Sequence, residues 1–410
     1  MRKVIQTMSL FVAIAVAAVM GFVLYLDFTI PDRFYVTDTS SFSMKQYRQI
    51  ETELPVLDEM QAGVSGSRSR EAELKLLGII PVKTAWLQEV DETYVVPCGT
   101  PFGLKMLTDG VVVVGLNPVE TASGAISPAD MAGIEKGDVI LTVDGEEVHS
   151  NQELTACVRK SAGKPMRFAL RRGEALLELE VTAAKSLADG EYRCGIWVRD
   201  SSAGIGTVTF YDPQSGVFGG LGHAVSDVDT GEAMPLASGE VVPVHITGVQ
   251  KGEAGEPGEL EGSFLSSVPS GVLCLNNETG VYGVLYHSPS RREAVPLLFR
   301  QEIREGSAQI LATIEGNEPA LYDIEIEKVN LAGNTPTKNM VIRITDPELL
   351  AATGGIVQGM SGSPILQDGK LAGAVTHVFV NDPMRGYGIF SENMLGNCEK
   401  VEELVETPAA

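Results

Sequence analysis

Several residue types are scarce in this chain of 410 residues, and each scarcity excludes a class of protein. The five Cys residues are an odd number with no Cys-x-x-Cys pair, which excludes a disulfide-framework scaffold and argues against a structural zinc site. Lys and Arg together number 31 against 54 Asp and Glu, so the formal net charge is −23. A chain this acidic, with no basic block, is a poor candidate for binding nucleic acid or an anionic membrane surface.

Motifs for cofactors are also missing. The sequence has no P-loop, no dinucleotide-binding fingerprint and no cluster of metal ligands, so we predict neither a cofactor nor a metal. Glycine is abundant at 44 residues, hydrophobic residues make up 44% and aromatic residues only 6%. This composition predicts many short strands joined by tight turns, and the length predicts about two to four domains.

The N-terminal segment is a long hydrophobic run. Val4–Leu26 contains no charged residue and no His, and its 23 residues would span about 35 Å as a helix, enough to cross a hydrocarbon core of about 30 Å. Arg2 and Lys3 precede the run and Asp27 follows it, so the positive-inside rule leaves the body of the chain outside the cytoplasm. Two Ala-x-Ala sites offer a cleaved signal peptide as the alternative, although they lie within the run. We predict a membrane anchor or signal over residues 1–27.

The next segment, residues 28–95, is predicted to be a stalk with connecting strands. It is mixed and polar as far as residue 73, and a Ser-Gly-Ser-Arg-Ser-Arg tract lies at residues 65–70. This composition predicts a spacer with no core of its own, and the tract is a predicted place for proteolytic nicking. From Leu76 to Val96 apolar and polar residues alternate, which predicts two strands leading into the next domain.

Residues 96–186 show a regular succession of turn and cap signals. A short helix ending at Gly133, a hairpin turn at Asp144-Gly145 and a capping box at Ser150–Glu153 are predicted. The signature Ala129-x-x-Ala-Gly-Ile-x-x-Gly-Asp-x-Ile140 resembles that of the PDZ domains of bacterial envelope proteases. The resemblance implies a carboxylate-binding loop whose amides capture a peptide C-terminus while the peptide adds a strand to the sheet edge. It places this loop at Thr100, Pro101, Phe102, Gly103 and Leu104. The alternative is a module that binds no free C-terminus and only packs on its neighbour.

The C-terminal region, residues 187–402, contains a nucleophile motif. Gly359-Met-Ser-Gly-Ser-Pro364 matches the Gly-x-Ser-Gly-Gly/Ser-Pro form found around the nucleophile of chymotrypsin-like serine proteases. A nucleophilic Ser must project from a tight turn whose amides converge on one point, and flanking Gly residues permit that geometry. We therefore predict Ser361 as the nucleophile and the N–H groups of Gly359 and Ser361 as the oxyanion hole.

A general base should accompany this nucleophile. His223 lies in the Gly-rich segment Gly219–Asp227, and an imidazole on a rigid turn suits the role because its pKa is near neutrality. The order His before Ser is that of the chymotrypsin template. The other four histidines are interpreted as structural by default, although His377 follows Ser361 on a returning hairpin that can bring it near the site. These four are His149, His245, His287 and His377.

The acid of the triad is less clear from the residues alone. Asp346 ends a strand-like run shortly before Ser361, at a spacing that differs from that of ordinary chymotrypsin-like enzymes. Asp227 and Asp229, close after the predicted base, compete with it, and so does Asp323. We leave these alternatives open at this point.

Several longer segments resemble the stage IV sporulation protein B peptidases of endospore-forming bacteria. They are Val341–Pro347, Thr353–Ile365, Gly373–Pro383 and Gly222–Gly231. The resemblance covers nearly the whole chain, from the anchor to the peptidase domain. It implies His223 as base, Asp346 as acid and Ser361 as nucleophile. It also implies self-cleavage in the N-terminal region and secretion into the space between the two sporulation membranes. There the family cleaves a regulatory partner of a membrane-embedded protease complex, which releases processing of a sigma-factor precursor.

The expected fold is mostly β: a PDZ domain followed by a chymotrypsin-like double β-barrel peptidase domain, with an N-terminal transmembrane helix. The expected function is that of a signalling serine endopeptidase bound to the membrane through the N-terminal helix. Its PDZ domain would hold a protein substrate, its own N-terminal region or its C-terminal tail. A PDZ-gated envelope quality-control protease and a non-catalytic PDZ scaffold are the alternatives. Oligomeric state, cleavage-site preference and the activation trigger are not predicted.

Overall fold

The computed structural model describes residues 2–53, 69–266, 268–332 and 335–406 of the chain. The prediction of a mostly β protein with an N-terminal apolar helix is confirmed. Helix α1, Arg2–Thr29, contains a stretch from Ile5 to Thr29 that is long and apolar enough to cross a membrane, and a signal sequence would have the same character. Among its described side chains only Leu26, near the C-terminal end, is fully buried.

A four-stranded sheet follows this helix. Its strands are β1 Arg33–Val36, β2 Ile50–Glu53, β3 Ser69–Leu76 and β4 Ile80–Glu89, and a 3₁₀ turn covers Thr39–Ser41. The strand order is β1-β4-β3-β2, with β1 parallel to β4 and the other pairs antiparallel. Phe34, Leu74 and Leu87 are buried in one hydrophobic cluster with the end of α1 and the second barrel described below.

The prediction of a stalk without a core is therefore wrong. The apolar side chains of these short strands pack against surfaces from distant parts of the chain, which local composition does not reveal. The tract predicted to be open to nicking cannot be judged in the same way. Residues 65–68 lie outside the described residues, and Ser69 and Arg70 already belong to β3.

The central unit of the chain combines strands with two helices. Its elements are β5 Tyr94–Leu116, β6 Val119–Thr121, β7 Gly124–Ile126, α2 Pro128–Ala132, β8 Val139–Val143, β9 Glu146–Glu147, α3 Asn151–Ser161, β10 Pro165–Arg172, β11 Ala175–Thr182, β12 Ala184–Lys185, β13 Tyr192–Arg193 and β14 Ile196–Tyr211. The sheet order is β11-β10-β8-β5-β14. The predicted caps are present: the Ser150 hydroxyl accepts from the N–H of Glu153, and α2 ends at Gly133 with φ 87°. A separate buried cluster around Ile140 and Phe168 forms the core of this unit.

The first barrel has six strands and closes through β5. Besides β5 and β14, the strands of the ring are β15 Val217–Gly220, β16 Leu236–Gln250, β18 Gly271–Asn277 and β19 Gly280–Leu285. Two further strands lie outside the ring: β17 Glu259–Phe264 pairs with β16, and β20 Val295–Pro296 pairs with β5. Residues 102–107 of β5 pair with β14 on one side and β16 on the other, and the ring continues through β15, β19 and β18. The central unit is thus inserted between the first two strands of this barrel. The predicted boundary between residues 95 and 96 falls inside a strand that both units share.

The second barrel is closed in the order β21-β22-β23-β26-β25-β24. Its elements are β21 Gly306–Ala312, β22 Ala320–Val329, β23 Met340–Ile344, α4 Pro347–Thr353, β24 Pro364–Gln367, β25 Lys370–Phe379 and β26 Asp382–Phe390, followed by α5 Ser391–Leu395 and α6 Cys398–Glu406. Alternate inward side chains such as Ile310, Ile326 and Ile342 are fully buried. The prediction of two barrels is confirmed, and the predicted nucleophile lies between α4 and β24, where the second barrel meets the first.

Candidate active site

The segment that carries Ser361 is a tight loop bounded by two glycines in the left-handed region. Gly359 has φ 94° and Gly362 has φ 96°, values that side-chain-bearing residues rarely adopt. A Cβ atom placed on Gly362 would lie 2.2 Å from the carbonyl oxygen of Thr207 and 2.5 Å from the amide nitrogen of Leu221. Both of those residues belong to the first barrel. Only glycine therefore allows the Ser361 loop to lie directly against that barrel.

Hydrogen bonds from two threonines of β14 fix this loop. The Thr207 hydroxyl donates to the Gly359 carbonyl at 2.8 Å, and the Thr207 amide donates to the Ser361 carbonyl at 3.2 Å. The Thr209 hydroxyl, which is buried, donates to the Gly362 carbonyl at 2.7 Å. Three carbonyls of the loop are thus held by the first barrel. Sequence patterns contain no signal for these threonines, because nothing local marks a strand residue that bonds to a loop about 150 positions away.

Two amides of the loop have no acceptor in the part of the chain that the structure describes. The Met360 amide donates to the Val357 carbonyl at 3.1 Å and the Ser363 amide donates to the Met360 carbonyl at 2.9 Å. The N–H groups of Gly359 and Ser361 donate to no acceptor among the described residues. These are the two donors predicted to form the oxyanion hole, and they are available to an incoming oxygen.

His223 follows a turn with strained backbone. Leu221 has φ 64° and Gly222 has φ 70°, and a Cβ on Gly222 would lie 2.9 Å from Cγ2 of Thr376 in the second barrel. The Nδ1 atom of His223 lies 2.9 Å from the carbonyl oxygen of Ala224. Because a carbonyl can only accept, this bond requires the proton on Nδ1 and leaves the Nε2 lone pair free. Burial lowers the pKa of His223, so the half-buried ring stays neutral below the usual pKa of about 6.5.

A second imidazole stands beside the predicted base. The Ser361 hydroxyl donates to the Thr376 carbonyl at 2.8 Å, and the ring of the next residue, His377, lies 5.0 Å from the ring of His223 between centroids. The Nδ1 atom of His377 is buried and has no partner among the described residues. Burial, with His223 and Lys338 nearby, lowers the pKa of His377 to about 4. The sequence pointed to His377 only through the return of the hairpin after Ser361, and its default interpretation was structural.

The structure does not bring Asp346 to His223. One carboxylate oxygen of Asp346 accepts from the amides of Glu348 and Leu349 at 2.9 and 3.0 Å, and the other accepts from the amide of Asp323 at 3.3 Å. Asp346 is therefore the N-cap of α4, the helix that leads into the nucleophile loop. The expected His–Asp hydrogen bond is absent among the described residues.

The competing aspartates do not contact the base either. Asp227 is buried and forms an ion pair with Arg199, which also binds Asp229 at 2.8 Å. Asp323 accepts from the side-chain amide of Gln309 at 2.9 Å. In the described part of the chain, the imidazole of the predicted base is hydrogen-bonded to a backbone carbonyl and lies beside a second imidazole.

The predicted carboxylate-binding loop of the PDZ domain is a strand instead. Thr100, Pro101, Phe102, Gly103 and Leu104 all lie within β5. They pair with residues 204–208 of β14, and residues 102–104 also pair with residues 241–243 of β16. The side chains of Phe102 and Leu104 are buried. The prediction is wrong because this stretch is a strand of the first barrel and not a loop, and residues 102–104 are paired on both sides.

An open strand edge lies elsewhere in the central unit. Residues 196–199 of β14 pair with residues 112–116 of β5 on one side and lie beside α3. Their other edge pairs with no strand among the described residues, and Gly195, with φ 74°, directly precedes them. A free strand edge next to a helix is the geometry in which PDZ domains receive an added peptide strand.

These features define the class of PDZ-containing serine peptidases. They are two six-stranded barrels, a serine loop bounded by glycines at their junction, and an inserted PDZ-like unit. The match to family models agrees with this class. The family described as SpoIVB peptidase S55 matches residues 190–395, and the PDZ domain family matches residues 102–183. The first match covers half of the chain, so the chain belongs to the SpoIVB peptidase S55 family. The predicted family resemblance is confirmed.

Two curated proteins match a short stretch of the chain. Two proteins of Xylella fastidiosa, from strains Temecula1 and 9a5c, are named as zinc metalloproteases and are each 30% identical to this chain over 105 residues. This region is 25% of the present chain and 20% of each relative. The chain thus spans about a fifth of the length of the curated relatives it matches.

Solved structures with partial similarity include a PDZ domain and a protease. The PDZ domain of an SdrC-like protein from Listeria monocytogenes is 22% identical and covers 22% of this chain and 87% of its own, with a TM-score of 0.18. The Rv3671c protease from M. tuberculosis in its active form is 17% identical and covers 49% of this chain and 74% of its own, with a TM-score of 0.28. Its inactive form is 14% identical and covers 48% and 84%, with a TM-score of 0.28.

Proposed function

We propose that this chain is a serine endopeptidase in which Ser361 is the nucleophile and His223 the general base. The observation that carries the proposal is the junction of the two barrels. There the Ser361 loop is held by β14, and two loop amides have no acceptor among the described residues. The hydrogen bond of His223 Nδ1 to Ala224 leaves the Nε2 lone pair for the hydroxyl proton. Membership of the SpoIVB peptidase S55 family supports the same reaction.

In the proposed reaction the Ser361 hydroxyl leaves the Thr376 carbonyl and turns toward His223 when substrate binds. Nε2 of His223 takes the hydroxyl proton while Oγ attacks the scissile carbonyl carbon, and the oxyanion accepts from the amides of Gly359 and Ser361. The imidazolium then gives its proton to the leaving amine, and the peptide bond breaks to leave an ester on Ser361. Water, activated by the same imidazole, hydrolyses the ester and restores the hydroxyl. The Ala224 carbonyl keeps the productive tautomer throughout.

We further propose that the biological role of this peptidase is regulated cleavage outside the cytoplasm. The chain would cleave itself in the N-terminal region and cleave a regulatory membrane protein in the space between the two sporulation membranes, which releases processing of a sigma-factor precursor. The family name and the apolar N-terminal helix support this role. The PDZ domain would hold the substrate or a segment of the enzyme itself.

A serine-directed inactivator and one substitution test the proposal. The purified chain should be labelled on Ser361, and Ser361→Ala should abolish labelling, self-cleavage and cleavage of the partner. Ser363 provides the matched control, because its side chain is fully buried and makes no hydrogen bond among the described residues. Label on Ser363, or cleavage by the Ser361→Ala variant, would reject the assignment. Degradation of unfolded casein by the wild type would favour a quality-control protease over the signalling role.

A further inference from the structure

The tip of the β3–β4 hairpin is an apolar surface without a partner among the described residues. It consists of Leu77, Gly78 and Ile79, and the side chains of Leu77 and Ile79 are 62% and 80% exposed. Leu77 has φ 54° and Gly78 has φ 68°, so a leucine occupies a left-handed turn position where glycine, asparagine or aspartate is usual. A hairpin tip that only faced water would be expected to carry such polar turn residues.

The pairing of β1 with β4 fixes which end of the sheet this tip occupies. The two strands are parallel, with Arg33 opposite Trp86, and α1 enters β1 from its N-terminal end. The N-terminal end of β4 therefore lies at the same end of the sheet as the N-terminal end of β1. Strand β4 begins directly after the hairpin tip. The base of the apolar helix and the tip of the hairpin are at the same end of the small sheet.

Contacts between α1 and β4 bring the two features together. The Lys83 ammonium group donates to the carbonyls of Asp27 and Ile30 at 2.8 and 2.7 Å and so occupies the C-terminal end of the helix. Leu26 and Ile30 are buried in the cluster that this sheet shares. Ile79 precedes Lys83 by four residues. At about 3.3 Å per residue it lies about 13 Å from Lys83, toward the end of the sheet at which α1 enters.

The apolar part of the helix that is exposed near this end of the sheet has the length needed to cross a membrane. The 25-residue apolar stretch would extend about 37 Å, longer than a hydrocarbon core of about 30 Å, so its last turns reach the lipid headgroups. Leu24, Tyr25 and Phe28 near its end are exposed at 66%, 56% and 77%. The hairpin tip lies at the same end of the small sheet as these exposed apolar side chains.

We propose that the tip Leu77–Ile79 enters the membrane interface beside α1, so that a lipid surface holds the folded body at two points. The carboxylate of Glu51 lies next to Gly78, where a Cβ atom would be 2.6 Å from Oε2, and this charge limits the tip to the headgroup region. The contact is apolar, so it needs no anionic lipid and is compatible with the net charge of −23. Because the small sheet and the second barrel share one core, the contact also sets the orientation of the barrels above the membrane.

Fluorescence quenching by brominated lipids tests this contact in the full-length chain, purified uncleaved and reconstituted into phosphatidylcholine nanodiscs. In a Trp86→Phe background, Ile79→Trp is compared with Leu176→Trp, whose position on β11 of the central unit is 75% exposed. Brominated phosphatidylcholine should quench the Ile79→Trp variant at least twofold more than the control. The remaining Trp197 contributes equally to both.

The second variant Leu77→Trp repeats the measurement from the other side of the turn, and far-UV circular dichroism confirms that each variant is folded. Equal quenching of the hairpin variants and the Leu176→Trp control would overturn the proposal. The exposed tip would then be interpreted as a surface that binds a protein partner. Loss of peptidase activity would not affect the result, because the readout is lipid contact alone. The proposal and the proposed catalytic function can therefore fail separately.

Discussion

The loop that carries Ser361 and the turn that carries His223 meet at the junction of the barrels but are held in different ways. Three carbonyls of the serine loop accept hydrogen bonds from Thr207 and Thr209, which belong to the other barrel. Among the described residues, no group of the other barrel forms a hydrogen bond with His223. Its ring is oriented by the carbonyl of the next residue, Ala224, and lies against His377.

The difference shows how each half of the site is built. The position of the nucleophile depends on the two barrels being assembled, since the bonds that hold it cross the junction. The tautomer of the base depends only on local backbone, because the accepting carbonyl is its immediate neighbour. A change at the junction should therefore damage the nucleophile more than the base. Substitutions at three positions, with two control positions, test this comparison from the largest expected effect to the smallest.

The largest effect is expected for Gly362→Ala. The new methyl group would lie 2.2 Å from the Thr207 carbonyl oxygen, so the serine loop must move away from β14. A displacement of about 1 Å at a catalytic group can lower the rate about 100-fold, and we expect at least this loss in kcat/KM. The labelling rate of Ser361 by the inactivator provides an independent measurement.

Gly369→Ala is the matched control for that substitution. Gly369 has a similar left-handed φ of 77°, but a Cβ atom there would meet nothing within 4 Å. It should lose about 1 kcal/mol of stability from backbone strain and keep its activity. If both variants lost activity equally, backbone strain rather than contact with the first barrel would explain the result, and the comparison of the two loops would fail.

An intermediate effect is expected at Asp346, and Asn and Ala substitutions separate its two possible roles. If Asp346 caps α4, Asp346→Asn should keep both stability and rate because Asn is an equally good N-cap, whereas Asp346→Ala should cost about 1 kcal/mol. If substrate binding brings Asp346 to the base as the triad acid, both variants should lose about 10⁴ in kcat. Thermal unfolding and cleavage rates measured together distinguish these outcomes. The second outcome would show that the base, His223, is also held by a side chain, that of Asp346.

The smallest effect is expected for His377→Gln, as a change in the pH dependence of stability. The folded-state pKa of His377 is about 4 and its unfolded value is 6.5, so unfolding takes up a proton between these values. The stability contribution of the neutral ring is complete above pH 6.5 and is lost as the pH falls toward 4. His377→Gln should therefore show a smaller fall in Tm between pH 7 and pH 5 than the wild type. His287→Gln, at an exposed position, should retain the full fall.

Local patterns in the sequence predicted much of this structure. The caps of α2 and α3, the apolar N-terminal helix and the glycine turn around Ser361 were all predicted, because each depends on residues within a few positions of one another. His223 was singled out for the same reason, as a histidine in a Gly-rich turn. Where residues from distant strands had to be combined, prediction failed.

The failures share one physical cause. Residues 100–104 read as a loop near a PDZ signature, yet all five pair with β14 and residues 102–104 also pair with β16, which makes them part of a strand of the first barrel. Residues 28–73 read as a stalk without a core, yet apolar side chains among them, such as Phe34 and Ile50, are buried in the cluster shared with the second barrel. Both outcomes depend on surfaces supplied by residues more than 90 positions away, which no local pattern contains.

By itself the sequence determined the class of chemistry, since a serine between glycines and a histidine on a glycine-rich turn are local arrangements of backbone and side chain. It also determined that the chain begins with a helix suited to a membrane and continues mostly as strands. Only the tertiary structure decided what surrounds the base, because the imidazole of His377 reaches His223 through the return of β25, while Asp346 is used by the helix that it caps. Only the closure of the two barrels brings Thr207 and Thr209 to the serine loop, since hydrogen bonds across that junction exist only when both sheets are complete.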